Sequence, residues 1–301
     1  MKNKVLGANL SMTVSKILSG LNMNALKYLL PVWLGAMTGT AVRCVFAAAA
    51  FWGISFWGKR EADISTKEKG LLLGLGAVGL YGYMFFYLVG LSKTTPISSS
   101  IFTSLQPIWV FLIMIFFYKE RATPVKVIGI GIGLAGALVC ILSQKSDGLA
   151  SNPLLGNALC LVSSVIYAVY LVISQRLLAS VGPITMLKYT FSGAACSGLA
   201  VVGFTGIEAP ILSVPLHALP LTVLLFVLVF PTVISYLLML NGLKYLKTTV
   251  VAIYGYLILI VATLVSYLLG QDRFSWTQVS AIAFICVGVY LVEVAEGREG
   301  T

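Results

Sequence analysis

Apolar runs of about 20 residues, divided by short segments that carry most of the charges, recur along the whole chain. A helix of about 20 residues crosses the ~30 Å hydrocarbon core of a bilayer. With charges, Pro and Gly taken as punctuation, the pattern predicts helices near residues 5–23, 29–57, 68–92, 95–117, 123–143, 153–178, 183–205, 218–243, 248–269 and 275–294. The connections are short and leave no room for a soluble domain, so any activity must lie inside the bundle. The expected fold class is an all-α integral membrane protein with ten transmembrane helices.

Composition agrees. Hydrophobic residues make up 59 % of the 301 positions and charged residues 10 %, against roughly 25 % charged in a soluble domain. The net charge of +10 would suggest nucleic acid in a soluble protein, but here the cations sit between the apolar runs and read as topology signals. With the N-terminus inside, the cytoplasmic segments hold thirteen of the 20 Lys and Arg: Lys2, Lys4, Lys59, Arg60, Lys67, Lys69, Lys119, Arg121, Lys126, Arg176, Lys244, Lys247 and Arg298. The outer segments hold four (Lys27, Lys93, Lys145, Arg273), and Lys16, Arg43 and Lys188 fall within spans. The positive-inside rule then puts both termini in the cytoplasm of a multi-pass protein of the cell (inner) membrane. The first run, Val5 to Met23, lacks a small-residue cleavage site and reads as an uncleaved helix. Five cysteines, Cys44, Cys140, Cys160, Cys196 and Cys286, all lie in apolar stretches and are expected as buried free thiols.

Shifted by 152 residues, Tyr87–Cys140 aligns without a gap on Met239–Val292, pairing Gly90 with Gly242, Ile101 with Ile253, Arg121 with Arg273 and Gly136 with Gly288. Pro31 and Pro183, also 152 apart, open the second and seventh runs, and Glu120-Arg121 closes the fourth as Asp272-Arg273 closes the ninth. Two halves, 1–147 and 148–301, follow, each with five helices. An odd number forces the halves into opposite orientations. The charges agree, since the inner loop with Lys119, Arg121 and Lys126 becomes an outer loop without the two lysines. Inverted five-helix repeats are a signature of secondary transporters, with the substrate near the midplane.

The residues Thr95-Pro96-Ile97-Ser98-Ser99-Ser100, Leu105-Gln106-Pro107 and Lys119-Glu120-Arg121-Ala122-Thr123, then a glycine-rich fifth helix ending near Gly136, resemble the drug/metabolite transporter superfamily, specifically its EamA-type ten-helix members. The resemblance implies a secondary transporter of a small molecule and no enzyme. The sequence departs from the family pattern in the first helix, which lacks Trp-Gly, and at Leu259, where Pro107 would repeat.

Several motifs bear on other functions. Gly131-Ile132-Gly133-Leu134-Ala135-Gly136 matches a dinucleotide fingerprint literally, but it has no preceding strand signal and no acidic partner. Small residues for close helix contact explain it, as they do Gly70, Gly74, Gly79 and Gly82. A single histidine, His217, argues against a metal site or Ser-His catalysis, and no cofactor or nucleic acid is expected. Pro107 frees a carbonyl in mid-helix, either to a cavity or to a neighbouring hydroxyl.

Polar residues repeat at helical spacing within the spans, and such faces must turn away from lipid. The candidate substrate residues are Asn9, Thr13 and Lys16; Arg43; Tyr83 and Tyr87; Ser99, Thr103 and Gln106; Ser163, Tyr167 and Tyr170; Ser235; and Thr249 and Tyr256. Each hydroxyl alone has a second reading as interhelical glue. Arg43 lies twelve residues from Pro31 and fourteen from Trp57, about 18 to 21 Å along a helix, too far to snorkel easily; it faces either a structural partner or the substrate. Lys16 is similarly deep, and Lys188 is expected to snorkel. No Asp or Glu lies deep in a span. Two cations without a buried carboxylate favour a substrate carrying a carboxylate or phosphate, an amino acid or related metabolite, carried by a monomer or homodimer. Export of neutral or lipophilic compounds, and a receptor or scaffold without flux, are the alternatives.

Overall fold

The computed structural model describes residues 2–57, 64–119, 123–142, 150–213, 217–246, 251 and 254–299. These residues form a helical bundle. Its rods are α1 (Lys2–Leu29), α2 (Ala36–Trp57), α3 (Thr66–Lys93), α4 (Pro96–Tyr118), α5 (Pro124–Leu142), α6 (Pro153–Val181), α7 (Pro183–Thr205), α8 (Ala218–Tyr245), α9 (Gly255–Leu268) and α10 (Trp276–Glu299). Five of them, α2 to α4, α6 and α8, are long and apolar enough to cross a membrane, and shorter apolar stretches lie in α5, α9 and α10. The outer surface is apolar: Phe56, Phe116, Phe117, Leu268 and Trp276 are exposed, and Phe204 is 93 % exposed. Such a surface demands a lipid environment.

The starts of the rods follow their caps. Thr95 accepts from the Ser98 N–H at the head of α4, with Pro96 in the first turn, and Asn152 and Pro153 do the same for α6. Ser65 and Glu68 make a reciprocal capping box on α3. Pro183 opens α7. Pro31 does not open α2, as the sequence suggests; it lies in a turn after α1, and α2 begins at Ala36. Residues 30–35 are held instead by Trp33, whose carbonyl accepts from the Ile211 N–H, and by Gly35, whose N–H donates to the Glu208 carbonyl.

The main helix contacts are α2 on α7, α3 on both α6 and α7, α1 on α8 and α5 on α10, with α9 against α1 and α4 against α6. Three larger apolar clusters hold the bundle, with a small one between α4 and α6. One joins α2, α3, α6, α7 and α8 around Phe51, Tyr170 and Phe191; another joins α4, α5, α9 and α10 around Ile101, Phe111 and Ile285. The third, around Met23, Leu88 and Ile258, joins α1, α3, α8 and α9. Lipid offers no hydrophobic drive between helices, so close backbone contact and polar bonds decide these pairings. Gly133 and Gly136 of the fingerprint serve this end, whereas Gly131 faces open space. A Cβ on Gly136 would meet the Ala281 carbonyl at 2.9 Å, and one on Gly288 would meet the Gly133 nitrogen at 2.5 Å, so α5 and α10 touch through their backbones. Gly70 and Gly74, in contrast, face open space, and the close contacts of α3 are made by Gly76 against the Thr190 carbonyl and Gly90 against the Gly156 carbonyl.

Two rods carry a π-turn. In α3 it spans Leu75–Leu80, and the Tyr81 N–H reaches back five residues to Gly76; in α8 it spans Leu228–Ile234, and the Ser235 N–H reaches Phe230. Pro231 explains the second, since it lacks an N–H and its ring displaces the carbonyl four residues earlier. α4 is interrupted before Pro107: the Leu105 N–H bonds to Phe102 at 3₁₀ spacing, and the helix restarts at Gln106.

Other expectations shift in three places. Cys44 and Cys160 are buried free thiols, but Cys196 is exposed because it sits on the outer face of α7 and Cys286 is only half-buried; the Cys140 side chain lies outside the described residues. Lys126 is not a solvated loop cation: it is buried in the first turn of α5 over the Phe111 ring. Lys188 is nearly buried too, donating to Ser55 Oγ at 3.0 Å and lying over Trp52.

Candidate functional site

The middle of the bundle holds a partly open cavity of about 70 Å³. α1 contributes Ser15, Lys16, Ser19, Asn22 and Met23, α2 Arg43, and α3 Tyr83 and Tyr87; Thr103 and Gln106 flank the break in α4. α6 adds Ser163, Ser164 and Tyr167, α8 adds Pro231, Ser235, Tyr236 and Met239, and α9 adds Ile258. None of these residues is acidic. Lys16 sits 14 residues from the start of α1 and 13 from its end, about 20 Å of helix either way, and is 2 % exposed.

Arg43 is the best-placed charge. It is 3 % exposed, and its Nε donates to Thr232 Oγ1 at 3.0 Å. Thr232 in turn donates to the Val227 carbonyl, five residues back in the π-turn, at 2.7 Å. The π-turn of α8 thus fixes the guanidinium from across the bundle. Arg43 Nη1 has no hydrogen-bond partner among the described residues, nor do Asn22 Oδ1, the Tyr87 hydroxyl and Gln106 Oε1 around the same cavity. Unpartnered buried polar groups are costly, and four around one cavity mark a place where a ligand can complete them.

Tyrosines form the other wall. The Tyr83 and Tyr236 hydroxyls bond at 2.5 Å, the Tyr83 and Tyr167 rings lie 4.6 Å apart, and Tyr167 O–H donates to Met239 Sδ at 2.8 Å. Ser163 donates to the Tyr83 carbonyl at 2.9 Å, joining α6 to α3. Ser15 and Ser235 each donate to the other's carbonyl, at 2.9 and 3.0 Å, and clamp α1 to α8. Bonds of this kind within a membrane contribute about 0.6 kcal/mol each.

Of the residues singled out in the sequence, Lys16, Arg43, Tyr83, Tyr87, Thr103, Gln106, Ser163, Tyr167 and Ser235 meet at this cavity. Five others do not. Asn9 accepts from the Tyr254 O–H at 3.0 Å, and Thr13 donates to the Asn9 carbonyl within α1. Ser99 is wholly buried and accepts from Cys160 Sγ. Tyr170 is fully enclosed in the largest apolar cluster, and Tyr256 packs against the cluster of α4, α5, α9 and α10. Thr249 lies outside the described residues. Ser15, Ser19 and Asn22 were missed although their spacing of four and three residues is visible in the first apolar run. Thr232, Ser235 and Tyr236 also stand three and four residues apart, but on a rod interrupted by the π-turn at Leu228–Ile234.

Asp272 departs from its sequence reading. It lies in the loop between α9 and α10 yet is 9 % exposed, its Oδ1 accepting from the Arg273 N–H at 2.9 Å and from Gln278 Nε2 at 3.2 Å. Burial pushes its carboxyl above the usual carboxylate range, against the hydrogen bonds it accepts. The charged form is the penalised one, so any stability linked to this group is lost as pH rises through its pKa. Asp272→Asn is therefore expected to melt at or above the wild-type temperature at pH 7, with the difference closing as pH falls, and to retain most flux. Singly changing Glu120 and Glu293 to amides should also spare flux. Loss of flux in a folded amide variant would assign a carboxylate to the transport cycle.

The chain matches the EamA-like transporter family model twice, over residues 6–142 and 154–294. It is 23 % identical over 212 residues to the uncharacterized transporter YyaM of Bacillus subtilis, covering 70 % of this chain and 69 % of that protein. It is 32 % identical over 131 residues to the aromatic amino acid exporter YddG of Ancylobacter novellus, covering 43 % and 45 %. A crystal structure superposes with a TM-score of 0.68 at 22 % identity, covering 96 % of this chain and 97 % of that one, and shares its fold. An apolar-surfaced bundle that repeats the family unit in each half is a multi-pass membrane transporter and not an enzyme; the chain belongs to the EamA-like transporter family of the drug/metabolite transporter superfamily.

Proposed function

We propose that the chain carries a small metabolite with a carboxylate, an amino acid or related compound, across the cell membrane by alternating access. The observation that carries this reading is the placement of Lys16 and Arg43 at one mid-bundle cavity lined by no acidic residue. Two buried cations favour an anionic group and disfavour a purely lipophilic cargo. The tyrosine walls suit an apolar or aromatic body, and the relative named as an aromatic amino acid exporter is in keeping with that.

In this reading residues 1–147 and 148–301 are inverted five-helix repeats that rock about the cavity. Most of the helix pairs support it: exchanging each rod with the one five places on turns α3 on α6 into α8 on α1, and α4 on α6 into α9 on α1, and leaves α2 on α7 and α5 on α10 unchanged; α3 on α7 is the exception, since α8 meets α2 far less. The π-turns at Leu75–Leu80 and Leu228–Ile234 nearly coincide under the 152-residue shift. Uptake of radiolabelled amino acids and aromatic carboxylates into protein-containing liposomes, against protein-free ones, is the test; binding without flux would make the protein a receptor.

The inverted arrangement has its own expected result. With both termini cytoplasmic, cysteines introduced singly at Ala122 and Ser275, in a background without the native five, should react with an impermeant reagent from opposite sides. Labelling from one side would make the repeats parallel.

A further inference from the structure

We propose that this cavity takes a net anion whose nitrogen is a neutral N–H, of the N-acylated aromatic amino acid class, in preference to a zwitterionic amino acid. The inference rests on the transport reading of the same cavity and narrows its substrate. Three features of the wall converge on it.

The first is charge. Lys16 and Arg43 are both nearly fully buried, and the lining holds no carboxylate to offset either. The titratable groups facing them are Tyr83 and Tyr87 of α3, Tyr167 of α6 and Tyr236 of α8, all neutral in their ordinary form. A lone carboxylate lowers the net charge of the occupied cavity. A zwitterion restores it by adding an ammonium to a site that already holds two cations.

The second is hydrogen bonding. Arg43 Nη1 is a donor without a partner, the Tyr87 hydroxyl is unpaired as well, and Asn22 Oδ1 and Gln106 Oε1 are acceptors without partners among the described residues. One carboxylate engages the donor but leaves both amide oxygens unpaired, and a second carboxylate would bring them only more acceptors. A neutral amide N–H satisfies an acceptor and adds no charge. The third is shape: the paired Tyr83 and Tyr167 rings, with Tyr236 bonded to Tyr83, offer flat apolar faces to a ring.

Thermal-shift titration of the purified full-length protein decides the matter with four probes: N-acetyl-L-phenylalanine, L-phenylalanine, phenylsuccinate and phenethylamine. N-acetyl-L-phenylalanine should bind at least about tenfold tighter than L-phenylalanine or phenylsuccinate, and phenethylamine should give no shift. Arg43→Gln should weaken N-acetyl-L-phenylalanine about tenfold or more and narrow its lead over L-phenylalanine. Gln106→Leu should weaken it while leaving phenylsuccinate unchanged. Equal or tighter binding of L-phenylalanine or phenylsuccinate, a shift with phenethylamine, or no shift with any probe would overturn the proposal. The wild-type ranking needs no variant to fold. A reversed ranking leaves the transport reading standing, since that is decided by flux in liposomes.

Discussion

Arg43→Gln is expected to reduce flux of a carboxylate substrate by about tenfold to a hundredfold, the value of one charge-assisted hydrogen bond, while expression and melting temperature stay near wild type. The guanidinium is held at Nε by Thr232, and Nη1 is left without a partner at the cavity wall. Glutamine is long enough to keep a bond to Thr232 and too neutral to attract an anion. Lys16→Met should act in the same direction with a smaller effect, because a compact ammonium lacks the planar fork that grips a carboxylate. If Arg43→Gln instead lowers the melting temperature and slows every substrate alike, the arginine is a structural strut. Unchanged affinity for all substrates in a folded variant would remove it from the site.

Thr232→Val is expected to lower both stability and substrate affinity although it touches no substrate. Valine keeps the shape and removes the acceptor that holds Arg43 Nε and the donor to the Val227 carbonyl. Two buried groups lose a partner, at about 1–3 kcal/mol each, and the freed guanidinium should bind a carboxylate about tenfold more weakly. Thr232→Ser restores both bonds, and its recovery of affinity separates positioning from general loss of packing. Wild-type affinity in Thr232→Val would mean that Arg43 holds its place without the π-turn.

The membrane class of this chain and the double match to its family were legible in the sequence because both depend on local properties: run length, hydropathy and a constant 152-residue offset. The depth of Lys16 needed only a count along α1. The depth of Arg43 needed more, since the first turn of α2 starts at Ala36 and not at Pro31, which brings one helix end closer to the arginine than the sequence suggests.

Which polar residues share the cavity was decided by tertiary structure. Helical spacing tells which side chains lie on one face of a rod but not which neighbour that face meets. Ser99 and Tyr170 follow the spacing of Thr103 and Tyr167 and yet are sealed against other helices, while Asn9 and Thr13 are taken up by Tyr254 and by their own helix. Thr232 and Tyr236 escaped for a different reason. A π-turn inserts one residue into the rod and rotates everything beyond it by about 100°, so a face read at 3.6 residues per turn across Leu228–Ile234 points the wrong way. Pro231 announces a disturbance in α8, but its effect on the face is fixed only when α8 is packed against α1 and α2, with Thr232 turned to meet Arg43.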